Sequence, residues 1–395
     1  MKYCVLIIDG AAGLPLPDYG GKTSLALAHT PNLDAMAKNG IVGLAHMVPK
    51  GMEPDSAVAC MSIFGYDPTV YYSGRAPIEA ISLNIPINPG EVLFRCNLVT
   101  VQNDMMVSHS AGSISTAESS ELVDALNKAL GNERIHIYPG ISYRSILKLK
   151  GAVETTQALC TPPHDIPGKP AAAYLPRGAG SKLLLDLMAR SQKVLKDHPV
   201  NKQRIARGDL PATSIWLFWG SGHIPTMPLF YETYHRKAAV TSGVNLLQGL
   251  GKMAGMALLE IKGVTDGLDN DYAAQAKGAL DTLRNYDIVI IHIEAPDEAG
   301  HTGSVKEKVT AIEKIDELVV GQVRDWHGDE LRLLVTADHP TPISIRTHTN
   351  DPVPFLLWGA GFNPNGAKRL TESEAKRTGL VINPGWNIMH RLIGE

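Results

Sequence analysis

The stretch YDIVIIHIEAPDEAGH, residues 286–301, decides the fold. Ile288, Val289, Ile290, Ile291 and Ile293 make a β-branched run that reads as a strand buried on both faces. The run breaks at Ala295-Pro296 and delivers Asp297 and, four residues on, His301. A carboxylate and an imidazole just past a parallel strand stand at the ligand-bearing edge of an α/β sheet, and both suit hard or borderline metal ions. Alone, D-x3-H reads as well as a solvated surface pair.

Two other stretches repeat the pattern. LRLLVTAD, residues 331–338, is an apolar strand ending in Asp338; His339 follows at once, and His348 comes nine residues later in RTHTNDPVPF. YCVLIID, residues 3–9, is a strand ending in Asp9. Three buried strands that each end in an aspartate, two with trailing histidines, place several acids at one sheet edge. Such a cluster calls for something cationic to neutralise it.

The chain has 395 residues, 44% hydrophobic and 19% charged, enough for a sizeable core in one large domain or two. A formal net charge of −3 without a long basic run argues against a nucleic-acid surface or a polybasic membrane patch. Cys4, Cys60, Cys96 and Cys160 form no CxxC pair, which leaves reduced thiols in a cytoplasmic protein as the simplest expectation. No apolar run approaches the ~20 residues of a membrane span. Met1-Lys2 leads straight into a strand, so no signal peptide is expected.

Taken in order, the chain predicts a Gly/Pro-rich loop after Asp9, a helix opening with Thr30 as N-cap and Pro31 as first residue, a strand over 41–48 and a compact helix over 57–64 ended by Gly65. Ser56 falls at that helix's N-terminus, where free backbone N–H groups favour a phosphate or an alkoxide; alternatively Asp55 or Ser56 is only its cap. From residue 76 the texture changes. Strand-like pieces at 91–101, 142–149 and 153–158 alternate with a helix after Ser115-Thr116, and TPPHDIPGKPAAAYLPRG is too rich in Pro and Gly to be regular. This predicts an inserted α+β lid domain over 76–182, within a catalytic domain of 1–75 and 183–395. The helix at 181–195 and the strand SIWLFWG at 214–220 are assigned to that main domain. So are strands at 237–243 and 354–358 and helices at 244–255, 271–283 and 305–323. Strand–helix alternation predicts a three-layer α/β fold with a mostly parallel sheet.

Seven groups stand out: Asp9, Ser56, Asp297, His301, Asp338, His339 and His348. They are too many for one tetrahedral ion and suit two ions about 4 Å apart, as in phosphoryl transfer. Two ions could ionise Ser56 and neutralise phosphoryl oxygens during in-line attack.

Longer motifs are specific. VLIIDG (5–10), GGKTSLALAHTPNLDAMAKNG (20–40), PDSAVACMSIFGYDP (54–68), YYSGRAPIEA (71–80), FRCNLVTV (94–101), PGISYRSIL (139–147), TPPHDI (161–166), HIEAPDEAGHTG (292–303), and TADHPTP (336–342) followed by HTNDPVPF (348–355) occur in this order. Over essentially its whole length the chain resembles the archaeal-type branch of cofactor-independent phosphoglycerate mutase, in the alkaline-phosphatase superfamily. The resemblance implies that Ser56 accepts the phosphoryl group as a phosphoserine. It implies one metal held by Asp9, Ser56, Asp338 and His339 and another held by Asp297, His301 and His348, with manganese the usual ion and zinc or cobalt as alternatives. The implied reaction, a step of glycolysis and gluconeogenesis, moves phosphate between the 3- and 2-hydroxyls of glycerate without 2,3-bisphosphoglycerate. The insert would close over the substrate and exclude water.

A phosphorylated carboxylic acid needs cationic partners. Arg95 and Arg144 lie inside family motifs of the insert, and guanidinium groups suit oxyanions. Arg75, at the hinge, and Lys237, before a short strand, rank after them; His109 either meets the phosphate or packs in its loop. The chain departs from the family pattern at Ala57, where the family commonly has an acid, and at Ser113, where relatives usually have a histidine. Both bear on substrate choice. A related phosphotransferase acting on homoserine, or a phosphomonoester hydrolase using the same serine, stays open. The Arg-bearing insert favours the mutase, and the chain has no glycine-rich P-loop. No nucleic-acid or membrane partner is expected, and a monomer is the default.

Overall fold

A computed structural model describes residues 1–223 and 225–394. The chain forms two compact units, Met1–Tyr72 with Thr226–Glu395, and Ser73–Pro225. Its strands in chain order are β1 (Lys2–Ile8) and β2 (Ile41–Ala45), then β3 (Glu91–Gln102), β4 (Met105–Ser108), β5 (Ile135–Pro139), β6 (Arg144–Lys150) and β7 (Ser214–Ser221). β8 (Ala238–Thr241), β9 (Ala257–Leu258), β10 (Ile288–Ile293), β11 (Leu331–Thr336), β12 (Val353–Gly359) and β13 (Val381–Ile382) complete the set.

The first unit is built on an eight-stranded sheet in the order β13-β2-β12-β11-β1-β10-β8-β9. It is mostly parallel, as the apolar strands predict, and the protein is a mixed α/β structure. Every residue of β10, and all of β1 after Lys2, is buried, as runs covered on both faces require. Register then places the acids. Ile7 of β1 pairs with His292 of β10 on one side and Thr336 of β11 on the other. Three parallel strands therefore end level, and the residues just beyond them emerge at one edge. β12 is the exception, antiparallel to both β11 and β2. The segment from β11 to β12 consequently stays at the edge where β11 ends, and His348 lies within it.

Helix ends follow local chemistry with one departure. The helix Pro31–Lys38 starts where expected, but Thr30 does not cap it with its side chain. Asp316 does so from afar, accepting the N–H of Leu33 at 2.7 Å and that of Asn32 at 3.1 Å. Asp316 opens a π-helical turn, Asp316–Val320, inside what the sequence reads as one helix over 305–323.

The second unit holds the antiparallel sheet β4-β3-β6-β5, with β7 also paired to β3. This corrects the predicted boundary. The insert runs from 73 to 225, not 76 to 182, and β7 and the helix Ser181–Lys196 belong to it. The reason is packing: Trp216, Leu217 and Phe218 of β7 and Leu184 and Leu187 of that helix share one apolar core with Phe94, Leu122 and Leu126. The Pro/Gly-rich stretch before residue 181 is an internal loop of the unit. Residues 153–157 form a 3₁₀ turn where a strand was expected.

Candidate active site

All seven singled-out side chains of the first unit come together. Asp9 follows β1, Asp338 and His339 follow β11, and Asp297 and His301 occupy one face of the helix Ala295–Thr302 that β10 runs into. Ser56 is the first residue of the helix Ser56–Ile63, and Asp55 caps it by accepting the Ala57 N–H at 2.8 Å. Both readings of that helix start therefore hold at once: Asp55 caps, and Ser56 Oγ lies 3.1 Å from His339 Nε2.

The hydrogen-bond network fixes the tautomers. Thr341 donates its hydroxyl proton to Asp297 Oδ1 at 2.5 Å, so its oxygen accepts from His339 Nδ1 at 3.3 Å. His339 Nε2 thus carries a lone pair, 3.1 Å from both Ser56 Oγ and Asp338 Oδ2. His301 Nδ1 faces the Arg346 carbonyl at 3.0 Å and His348 Nδ1 the Pro54 carbonyl at 3.1 Å, so each donates there and turns Nε2 toward Asp297. Those two Nε2 atoms are 3.0 Å apart and lie 3.1 and 3.5 Å from the Asp297 carboxylate oxygens.

This donor set fits cations. Two imidazole nitrogens and a carboxylate converging at such distances repel one another unless positive charge sits among them; protons supply it in the absence of metal, and one metal ion can serve all three. In the deeper group, fully buried Asp9 has an Oδ1 with no hydrogen-bond partner among the described residues, 3.8 Å from His339 Nε2. A buried carboxylate oxygen without a donor is otherwise costly. Asp9, Asp338 and His339 on one hand, and Asp297, His301 and His348 on the other, each have ligand atoms close enough to share an ion.

Electrostatics separate the two groups. Burial first, then the charges of Asp338, Glu294 and Asp297, push Asp9 well above the ordinary carboxylate range, and burial raises Asp338 as well. Burial works to raise Asp297 too, but hydrogen bonds and charge from His301 and His348 hold it well below its ordinary value. Burial would lower His301, yet Asp297 lifts it to about 9. Burial and the charge of His348 keep His339 neutral.

Sequence reasoning missed four residues here. His292, inside the quoted strand, meets Asp9 Oδ2 at 2.7 Å through Nε2. Glu294 has a buried Oε2 with no hydrogen-bond partner among the described residues, 3.6 Å from His292 Nε2, and burial, with Asp297, raises its carboxyl to about 8. Thr341 links Asp297 to His339. Lys308, fully buried, donates to Ala12 O at 3.2 Å and Thr341 O at 2.7 Å and ties together the loops after β1 and β11; burial lowers it to about 8 against the pull of Asp297 and Glu372.

The second unit gathers the three predicted arginines. Arg75 donates to Glu79 at 2.9 Å, and Arg95, almost fully buried, pairs with the same carboxylate. Burial alone would raise Glu79, but Arg95, then Arg75 and Arg144, hold it below the ordinary range. Glu79 thus lies within reach of all three guanidinium charges. Trp219 stacks against this cluster, 4.7 Å from Arg75 and 5.9 Å from Arg95. Its backbone has φ 49, an outlier for an aromatic residue, beside the register shift in the β3–β7 pairing. His109 packs edge-on against Tyr143 and His164.

Lys237 is not among these groups. It precedes β8, and its carbonyl accepts the N–H of Asp287, just before β10. Asp297 and His301 lie past the other end of β10, about 20 Å away at ~3.3 Å per residue. Lys237 therefore drops out of the site.

The geometry can be set beside known proteins. A family model of 2,3-bisphosphoglycerate-independent phosphoglycerate mutase matches residues 37–201. A mutase of that description from Methanothrix thermoacetophila is 46% identical over 396 residues, covering all of both chains. The chain belongs to this mutase family. The Methanosarcina acetivorans phosphoglycerate mutase is 44% identical over 397 residues, again covering all of both chains. Among solved structures, a Pyrococcus horikoshii protein matches with a TM-score of 0.82 at 28% identity, over 100% of this chain and 97% of that one. The cofactor-independent phosphoglycerate mutase of Thermoplasma acidophilum matches at 0.63 and 26% identity, covering 100% and 99%. The phosphoglycerate mutases are isomerases, so the chain is a member of an enzyme family. Among the described residues, no helix is long and apolar enough to cross a membrane.

Proposed function

We propose that this chain interconverts 3- and 2-phosphoglycerate without 2,3-bisphosphoglycerate, through a phosphoserine at Ser56 flanked by two divalent ions. The observation that carries the reading is Ser56 Oγ, 3.1 Å from His339 Nε2 at the start of a helix. Asp9, Ser56, Asp338 and His339 would hold one ion and Asp297, His301 and His348 the other, with manganese the first choice. Bound ions of this kind supply charge neutralisation for phosphoryl oxygens and favour the ionised serine.

The chain's own groups supply the rest. The positive end of the Ser56–Ile63 helix favours a phosphate at Ser56. With Nδ1 donating to Thr341, His339 keeps its Nε2 lone pair beside the Ser56 hydroxyl, where it would hold the ion that Ser56 shares. Asp297 holds Thr341 in turn. The Arg75, Arg95 and Arg144 cluster is proposed to receive the anionic groups of the acid, by bidentate contacts that guanidinium geometry favours. A place in cytoplasmic central carbon metabolism follows from the same reading.

The test is purified protein with Mn²⁺ and 3-phosphoglycerate, coupled to enolase, with no bisphosphoglycerate present. The expected result is 2-phosphoglycerate without free phosphate. Phosphate release without 2-phosphoglycerate would make the chain a hydrolase, and transfer from ATP to homoserine in a parallel assay would make it a kinase.

A further inference from the structure

We infer that His292, locked by Ser242, is a positioning residue that engages one oxygen of Asp9 and leaves the other as a single metal-ligand atom. The inference rests on the two-metal reading above and extends it to groups that touch no metal or substrate.

The chain of donors runs in one direction. The Val244 N–H donates to Ser242 Oγ at 3.0 Å, which leaves the Ser242 hydroxyl proton to donate to His292 Nδ1 at 2.9 Å. The imidazole, 1% exposed, then has its one proton on Nε2, which donates to Asp9 Oδ2 at 2.7 Å. The other tautomer would set an imidazole lone pair against a carboxylate at that distance, a repulsive contact. Gln275 holds the strand itself, donating to the His292 carbonyl at 3.0 Å. The outcome is visible at Asp9: Oδ2 is engaged, and Oδ1 lies without a partner among the described residues, 3.8 Å from His339 Nε2.

His292 could itself be taken for a ligand, because Asp9, His292 and Glu294 also have donor atoms close together. The hydrogen bonds oppose that. A metal ligand must present a lone pair, and His292 spends Nδ1 on Ser242 and carries its proton on Nε2. Its part is orientation: a carboxylate pinned through one oxygen cannot rotate to chelate with both. Partners of this outer kind are typically worth about 10–100-fold in metal affinity.

The experiment is Mn²⁺ binding to the full chain, read as loss of the free-ion paramagnetic resonance signal, for wild type, His292→Leu, His292→Gln and Ser242→Ala. Wild type is expected to take up two equivalents. His292→Leu should weaken one of them by about 10–100-fold and leave the other nearly unchanged. His292→Gln, whose amide N–H can still reach Asp9, should recover most of that loss. Ser242→Ala should weaken the same equivalent by a smaller factor, because the imidazole is then free to change tautomer. Equal weakening of both equivalents by His292→Leu, or no rescue by Gln, would overturn the inference by reducing His292 to a packing residue. Should His292→Leu not fold, Ser242→Ala decides: wild-type affinity for both equivalents overturns the inference. Wild-type protein that takes up fewer than two ions would instead defeat the two-metal reading itself.

Discussion

Each unit of this chain gathers like charges, and the two clusters have opposite sign. The first unit sets Asp9, Asp297, Asp338 and Glu294 around histidines that are held neutral by burial or held protonated by the charge of Asp297. The second sets three arginines around Glu79. Crowded buried carboxylates are costly, so the first cluster suits divalent cations; guanidinium groups suit oxyanions, so the second suits an anionic acid. They also differ in how they are built. The anionic cluster stands just past strand ends, where β1, β10 and β11 stop in register. The cationic cluster is set into elements, with Arg95 inside β3 and Arg144 opening β6.

The comparison breaks most completely at Ser56. Ser56→Ala should lower turnover in the enolase-coupled assay by at least ~10³-fold, as loss of a nucleophile does. Its thermal unfolding should stay close to wild type, because one hydroxyl is removed from a helix that Asp55 still caps. Wild-type turnover would remove the serine from the mechanism.

Next in size is Arg95→Met. It takes away one partner of a buried pair and leaves Glu79 with Arg75 and Arg144. Breaking such a pair costs roughly 3–5 kcal/mol of stability in denaturant unfolding. In protein that remains folded, KM for 3-phosphoglycerate should rise more than kcat falls. An unchanged KM would detach the arginines from the substrate.

A smaller effect separates the clusters by pH. Glu294 is raised from 4.5 to about 8 and His301 from 6.5 to about 9. Both folded values lie above the unfolded ones, so the folded chain binds these protons more tightly. Glu294 contributes fully below about 4.5 and loses its contribution as pH rises through about 8; His301 contributes fully below 6.5 and loses it through about 9. Asp297 acts in the opposite sense only as pH falls below its ordinary value of 3.8; His292 and His339, both lowered from 6.5, do so up to about that pH, and Lys308, lowered to about 8, does so above about 8. Chelator-treated protein should therefore be less stable at about pH 8 than at about pH 6.5 in urea, and saturating Mn²⁺ should oppose the fall by taking the place of the protons. A rise in stability over that range would contradict the assignment.

The smallest effect belongs to Lys237→Ala. With Lys237 at the far edge of the sheet, kcat/KM should remain within about twofold of wild type, since surface substitutions away from such features change little. A large loss would place that lysine in the machinery after all.

The sequence carried the anionic cluster well because its signal is local. A buried strand that runs within a few residues into an acid names both the element and the edge, and Asp9, Asp297 and Asp338 all lie where that rule puts them. His292 was hidden because its meaning depends on Asp9, 283 residues away, and a lone histidine in an apolar run looks like core. Lys308 sits in a helix whose other charges are solvated, and nothing local marks it as the buried one. The exit from the insert was misplaced because SIWLFWG suits a strand in either sheet; only its pairing with β3 assigns it. Lys237 was placed wrongly although strand direction was available: a residue before a parallel strand stands at the edge opposite the ligands.

The central claim is that two ions share one edge of the sheet with Ser56. Anomalous diffraction from crystals grown with Mn²⁺ tests it most directly. Two peaks about 4 Å apart are expected, one bound by Asp9, Ser56, Asp338 and His339 and one by Asp297, His301 and His348. A single peak, or peaks beyond reach of the Ser56 hydroxyl, would contradict the account.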